Sequence, residues 1–198
     1  GWGMTSRVTY TPINLKDQVV HLGAYGGFRE ASSSNDILNG DKGTPLSYET
    51  THMSDLKLTS GTVSNAENLS IAGFEAAYMQ GPFSIQGEYA YSWLTRDDGD
   101  TSLDFNAFYV QTGWTLTGES RSYKGSDGEF KRLKPAKNFS LGSNGGWGAL
   151  EMAARYDQAD MNSANFDAGS EKAVTVALNW YLNENVRLMA DYRRAFDV

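Results

Sequence analysis

Between Glu119 and Gly146 the chain gathers Arg121, Lys124, Lys131, Arg132, Lys134 and Lys137 against Glu119, Asp127 and Glu129. The local balance is +3, which leaves -10 for the rest of a chain whose formal charge is -7. Cations held in a narrow, partly desolvated passage attract small anions more strongly than the same cations on an open surface. Elsewhere Arg7, Arg29, Arg155, Arg187 and Arg193 are opposed by Glu75, Glu88, Glu151, Asp157 and Asp191, so those positions balance to zero. A plainer reading competes. The Lys131–Lys137 cluster is then a solvated turn, and Arg155 with Glu151, or Arg187 with Asp191, neutralises its neighbour.

Other chemistry is thinner. Asp97, Asp98, Asp100 and Asp104 offer hard oxygen ligands for a divalent cation, but their spacing defines no cage, and a solvated acidic loop accounts for them. His21 and His52 stand apart from other metal ligands. The chain has no cysteine, which excludes a disulfide framework and thiolate metal sites. No Ser-His-Asp, Cys-His or paired-carboxylate constellation has a supporting context, so neither an enzyme, a metal site nor a bound cofactor is expected. The net negative charge argues against nucleic acid as a partner.

The elements that must position these charges alternate apolar and polar residues. In Ala173–Leu182, Val174, Val176, Leu178, Trp180 and Leu182 share one face, while Ala173, Thr175, Ala177, Asn179 and Tyr181 share the other. After Asn183-Glu184-Asn185, Val186, Leu188, Ala190 and Tyr192 repeat the apolar face against Arg187, Asp191 and Arg193. Six earlier stretches behave alike: Gly3–Thr11, Val19–Glu30, Asn68–Gln80, a strand opening at Phe83, Phe105–Gly118 and Trp147–Gln158. Each approximates the roughly 9–11 residues of a tilted membrane-crossing strand. Trp93, Trp114, Tyr156, Trp180, Tyr181 and Tyr192 sit near strand ends, as aromatic girdles do. A mean hydropathy of -0.49 suits a barrel with a wet interior, and 21 glycines against four prolines suit strands and tight turns.

The expected fold is therefore all-β: an antiparallel transmembrane β-barrel, of which residues 1–198 supply about eight strands. Short turns at Pro12–Asp17, Gly81-Pro82 and Asn183–Asn185 mark the periplasmic side. Ala31–Glu67 (31–67) is then one long external loop, and the alternating patch Thr51–Thr59 within it is not a full membrane strand. Glu119–Gly146 (119–146) becomes a long basic periplasmic turn, a candidate for folding back into the lumen. The chain opens on Gly1-Trp2-Gly3-Met4 without an export signal and stops at Phe196-Asp197-Val198, which reads as a piece of a longer protein.

Four blocks carry a family resemblance. They are Gly81-Pro82-Phe83-Ser84-Ile85-Gln86-Gly87-Glu88-Tyr89; Phe108-Tyr109-Val110-Gln111 with Leu116-Thr117-Gly118-Glu119-Ser120-Arg121-Ser122-Tyr123-Lys124; Gly146-Trp147-Gly148-Ala149-Leu150-Glu151-Met152-Ala153-Ala154-Arg155-Tyr156; and Leu178-Asn179-Trp180-Tyr181-Leu182-Asn183 with Val186-Arg187-Leu188-Met189. In order and at plausible spacing they resemble the phosphate-selective porin O and P family from about Gly73 onward. Earlier residues match more loosely. The resemblance implies a trimeric barrel of about 16 strands, narrowed by inward-folded segments and lined by Arg and Lys, in a Gram-negative outer membrane. This chain would cover about strands eight to fifteen, without the final strand.

The expected function is a passive outer-membrane channel for small anions such as phosphate. Its anion pathway is expected at Arg121, Lys124, Lys131, Arg132, Lys134, Lys137, Arg7, Arg29, Arg155 and Arg187. Its expected partners are small anions, outer-membrane lipid and lipopolysaccharide, and two further copies of itself in a homotrimer. The alternatives are a general, weakly selective porin, a surface-exposed barrel acting in envelope interactions, and a soluble β-rich domain or barrel enzyme.

Overall fold

The structure, a computed structural model, describes residues 1–30, 44–49, 57–97, 99–141 and 145–196. Eight long strands make one antiparallel meander: β1 (Gly3–Asn14), β2 (Gln18–Glu30), β5 (Ala66–Gln80), β6 (Phe83–Arg96), β7 (Leu103–Thr115), β10 (Ala149–Ser163), β11 (Phe166–Tyr181) and β12 (Arg187–Phe196). Two small hairpins stand apart from it, β3 (Thr44–Glu49) with β4 (Lys57–Val63), and β8 (Tyr123–Lys124) with β9 (Glu129–Phe130). The sheet is open, with β1 and β12 at its edges. Among the described residues no helix is long and apolar enough to cross a membrane, which says nothing of a crossing by strands.

Strict period-two alternation gives the sheet two unlike faces. Across the apolar face, register aligns Phe83, Trp114, Met152, Leu178 and Ala190 on five successive strands. Across the polar face it aligns His21, Ala77, Gln86, Gln111, Arg155, Thr175 and Arg193. A one-residue slip of any strand would exchange these rows, so the pattern that predicts the strands also fixes their pairing.

The eight predicted strands are all present, but their ends differ. β1 runs past Thr11 to Asn14 through an irregularity between Tyr10 and Ile13, which shrinks the first turn to Leu15-Lys16-Asp17. β10 continues to Ser163 and β11 begins at Phe166, joined by a two-residue turn where Ala164 adopts positive φ. Polar residues between Gln158 and Lys172 hide this extension, because strand ends beyond an apolar band need no apolar face. Tyr181 is also corrected. It is fully buried on the polar face with its hydroxyl on Glu151, so it belongs to no girdle.

The turns define two ends. At the Gly81 end lie Leu15–Asp17, Gly81-Pro82, the 116–148 connection and 182–186. Gly81 takes φ 54° at the first position of its two-residue turn, where a type II′ hairpin wants glycine. At the Gly99 end lie the 31–65 connection, the 97–102 loop and Ala164-Asn165. Here Val63 and Ala66 bury themselves with Leu94, Leu103 and Phe105, flanked by Leu69, Met161 and Phe166. Strand β4 packs on β11, and the Phe166 ring and Ala168 occupy the space a side chain at Gly61 would need. So the 31–67 connection carries a hairpin that leans onto the polar face. The patch Thr51–Thr59 contributes only its last residues to β4; its remainder, like His52, lies outside the described residues.

Candidate functional site

The site is the polar face near the Gly81 end, where the 116–148 connection comes back over the sheet. Leu133 is fully buried there against Ala149 and Tyr181. The β8–β9 hairpin is tied to β1 and β2. Arg7 donates through Nη1 to the Asp127 carbonyl at 3.3 Å and through Nη2 to the Gly128 carbonyl at 3.2 Å. The Tyr123 hydroxyl lies 2.6 Å from His21 Nδ1 and 3.1 Å from Thr11 Oγ1. At the other margin Arg121 clasps Glu151 of β10, with Nε donating to Oε1 at 3.0 Å.

Glycines make these links possible. Arg7 and Glu75 stand on β1 and β5 with β2 between them. The Glu75 side chain crosses over Gly23, whose added Cβ would sit 2.3 Å from Glu75 Oε1. That oxygen accepts from Arg7 Nε at 2.9 Å, from Arg7 Nη2 at 2.5 Å and from His21 Nε2 at 2.9 Å. The same device serves Tyr25, which passes over Gly73 to donate to Glu88 Oε1 at 2.6 Å. A glycine inside a strand signals such a close approach, and it was the one sequence cue to this network.

The cations of the basic turn divide in two. Arg121 pairs with Glu151, Lys124 with Asp127, Lys131 with Asp127 and Glu129, and Lys134 with Glu184. Among the described residues, Arg132 and Lys137 are exposed and have no ion pair. Arg132 is exposed and directly precedes the buried Leu133.

The strand arginines are engaged too. Arg155 donates to Asp157 at 3.2 Å and stacks on the Tyr109 ring at 3.8 Å. Arg187 lies over Tyr181 and donates to its hydroxyl at 3.3 Å. Arg193 donates to both oxygens of Asp157, at 2.9 and 2.8 Å, and to Glu171 at 2.6 Å. Arg29 is on the polar face nearer the Gly99 end and is also engaged. The simple neighbour pairs Arg155–Glu151 and Arg187–Asp191 are therefore not those formed. The turn supplies Glu151 with its cation, and a sequence without register cannot show that. Of the acids after Arg96, Asp100 pairs with Arg96 and Asp104 accepts from Ser163; Asp98 lies outside the described residues. No group of acids and histidines among the described residues is arranged to hold a metal.

Charge pairing inside the turn sets its response to pH. Hydrogen bonds from Lys131, then Lys124 and Ser126, hold the Asp127 carboxyl well below the usual carboxylate range. Asp127 and Glu129 push the Lys131 ammonium above its usual value. A depressed carboxyl stabilises the hairpin above its unfolded pKa and is lost as pH falls through the folded one. A raised ammonium stabilises it below its unfolded pKa and is lost as pH rises through the folded one. Docking of this hairpin, read by hydrogen exchange of its amides in the complete protein, is thus expected to stay unchanged from about pH 5 to about pH 9 and to loosen only outside that range, as Asp127 protonates in strong acid or Lys131 deprotonates in strong base.

A sheet with one apolar face bearing aromatics near its ends and one charged face has the pattern of an outer-membrane β-barrel wall. The chain belongs to the phosphate-selective porin O and P family, outer-membrane proteins of Gram-negative bacteria, whose sequence profile matches residues 2–195. It is 34% identical to "Porin O" of Pseudomonas aeruginosa, an alignment covering 96% of this chain and 46% of that protein. It is 30% identical to an "Uncharacterized protein" of Caulobacter vibrioides, covering 96% of this chain and 36% of that one. The chain thus spans less than half the length of the curated relatives it matches.

Proposed function

We propose that the polar face lines a water-filled channel through the outer membrane, with the Gly81 end in the periplasm, and that small anions such as phosphate diffuse through it. The open edges β1 and β12 need partners, because lipid tolerates no unpaired strand. The remainder of a protein as long as its relatives would close the barrel, and the closed barrels would assemble as trimers among phospholipid and lipopolysaccharide. The observation that carries the reading is the 116–148 connection docked on the charged face by Arg7, His21 and Glu151. A segment so placed narrows the passage and leaves the exposed Arg132, which has no ion pair among the described residues, beside it.

The extensive ion pairing favours a second reading, a general porin with little preference. With Arg7, Arg121, Arg155 and Arg193 all facing carboxylates, the wall offers few free cations. The reversal potential of the complete protein in a planar bilayer under a KCl gradient decides between them. The anion reading expects anion preference that drops when Lys131, Arg132 and Lys134 become Gln, with Arg132→Gln alone giving much of the drop. Weak preference unchanged by these substitutions establishes the general porin.

A further inference from the structure

The same connection that enters the polar face also leaves it. Leu133 is buried beside Tyr181 on that face, yet Phe139 packs edge-on against Trp180 on the apolar face, with ring centroids 5.1 Å apart. The Phe139 amide donates to the Leu182 carbonyl at 2.7 Å, and Trp180 Nε1 donates to the Trp147 carbonyl at 2.6 Å. The segment therefore wraps beneath the Gly81 end of β11. It returns through Gly148, at φ 73°, where a Cβ would stand 2.2 Å from the Tyr181 carbonyl oxygen.

What this arm presents outward is unusual for a solvated turn. Leu141 is 94% exposed and Trp147 is 80% exposed, on either side of the point where Phe139 and the Trp147 carbonyl meet Trp180 of the apolar face. Beside them the exposed Lys137 has no ion pair among the described residues, and its Cβ abuts Gly146. Residues 137–147 contain no acid. A large apolar side chain, an amphipathic indole and a free ammonium at the edge of a lipid-facing band match the boundary between acyl chains and phosphate.

We propose that Lys137, Leu141 and Trp147, backed by Phe139 and Trp180, form a binding site for an anionic phospholipid of the periplasmic leaflet. Lys137 takes the phosphate, and Leu141 and Trp147 lie against the acyl chains. Continuity with the apolar face and the single sign of charge select lipid over a second copy, which would need an acid opposite Lys137. This assignment rests on the proposed orientation of the barrel. It makes one connection both the lining of the passage and its tether to the membrane.

Two measurements on the complete protein test this. A nitroxide at Leu141→Cys, in bilayers containing phosphatidylglycerol, should be relaxed more by oxygen than by a water-soluble nickel chelate. In native mass spectrometry with added phosphatidylglycerol, Lys137→Gln should weaken the tightest site about fivefold and leave phosphatidylcholine binding unchanged. Preferential relaxation by nickel would place Leu141 in water and overturn the proposal. Dipolar broadening between labels would replace lipid with a neighbouring copy, and unchanged phosphatidylglycerol affinity would remove Lys137 from the site. Ion conductance is a separate signal, so failure of the lipid site and failure of the channel reading are told apart.

Discussion

Arg193→Gln is expected to lower the melting temperature of the complete protein by about 10 °C, the largest effect of any single substitution on this sheet. Asp157 is 2% exposed and Glu171 1%, and one guanidinium serves both. Among the described residues Glu171 takes its cation from Arg193 alone, with its second oxygen buried and without a partner. Removing the guanidinium leaves a carboxylate buried without compensation, and breaking such a pair costs about 3–5 kcal/mol. Asp157 retains Arg155, so the loss concentrates at Glu171. Arg193→Lys should recover part of the loss, because an ammonium restores charge but cannot reproduce the two-pronged contact with Asp157. Circular dichroism melts in detergent give the comparison. An unchanged transition in Arg193→Gln would mean that water, not the arginine, satisfies these acids.

The largest effect on conduction should come from Glu75→Gln. Its Oε1 is the common acceptor for Arg7 and His21, and those two residues hold the β8–β9 hairpin through Gly128 and Tyr123. Each hydrogen bond to a charged group contributes about 1.5–3 kcal/mol, so losing even one lowers the ratio of docked to undocked hairpin by about tenfold or more. Single-channel recordings should then show a larger mean conductance with rapid flicker between levels. Gly23→Val should give the same phenotype without altering any charge, since its side chain would claim the space through which Glu75 reaches β1. Wild-type steadiness in both variants would show that Leu133 and the Arg121–Glu151 pair hold the turn without this anchor.

The strands were legible because a sheet between lipid and water writes a period of two into its sequence. Val174, Val176, Leu178 and Trp180 could be read directly. Asp160 to Glu171 could not, since there the apolar residues Met161 and Phe166 pack on the Val63 cluster of the polar face rather than continuing the apolar one. The pairing of charges was hidden for another reason. Arg7 and Glu75 are 68 residues apart, and Arg121 and Glu151 are 30 apart. Counting signs on one face gives the balance but not the partner, which depends on register and on which strand offers a glycine to lean across. Leu141 and Trp147 read, in sequence, as the tail of a basic turn, and only the contacts of Phe139 and the Trp147 carbonyl with Trp180 show the apolar side.

The two ends of the passage are held by unlike forces. At the Gly99 end the β3–β4 hairpin rests on Val63, Leu94, Leu103, Phe105 and Phe166, which are carbon against carbon. At the Gly81 end the basic turn is fastened largely by polar and charged contacts, through Arg7, the Tyr123–His21 pair, Arg121 and the exposed Lys134–Glu184 pair. Added salt screens exposed pairs but strengthens or spares apolar contact, whereas cooling weakens apolar contact. Salt and cold should therefore act on opposite ends of this sheet: added salt loosens the basic turn, and cooling loosens the β3–β4 hairpin.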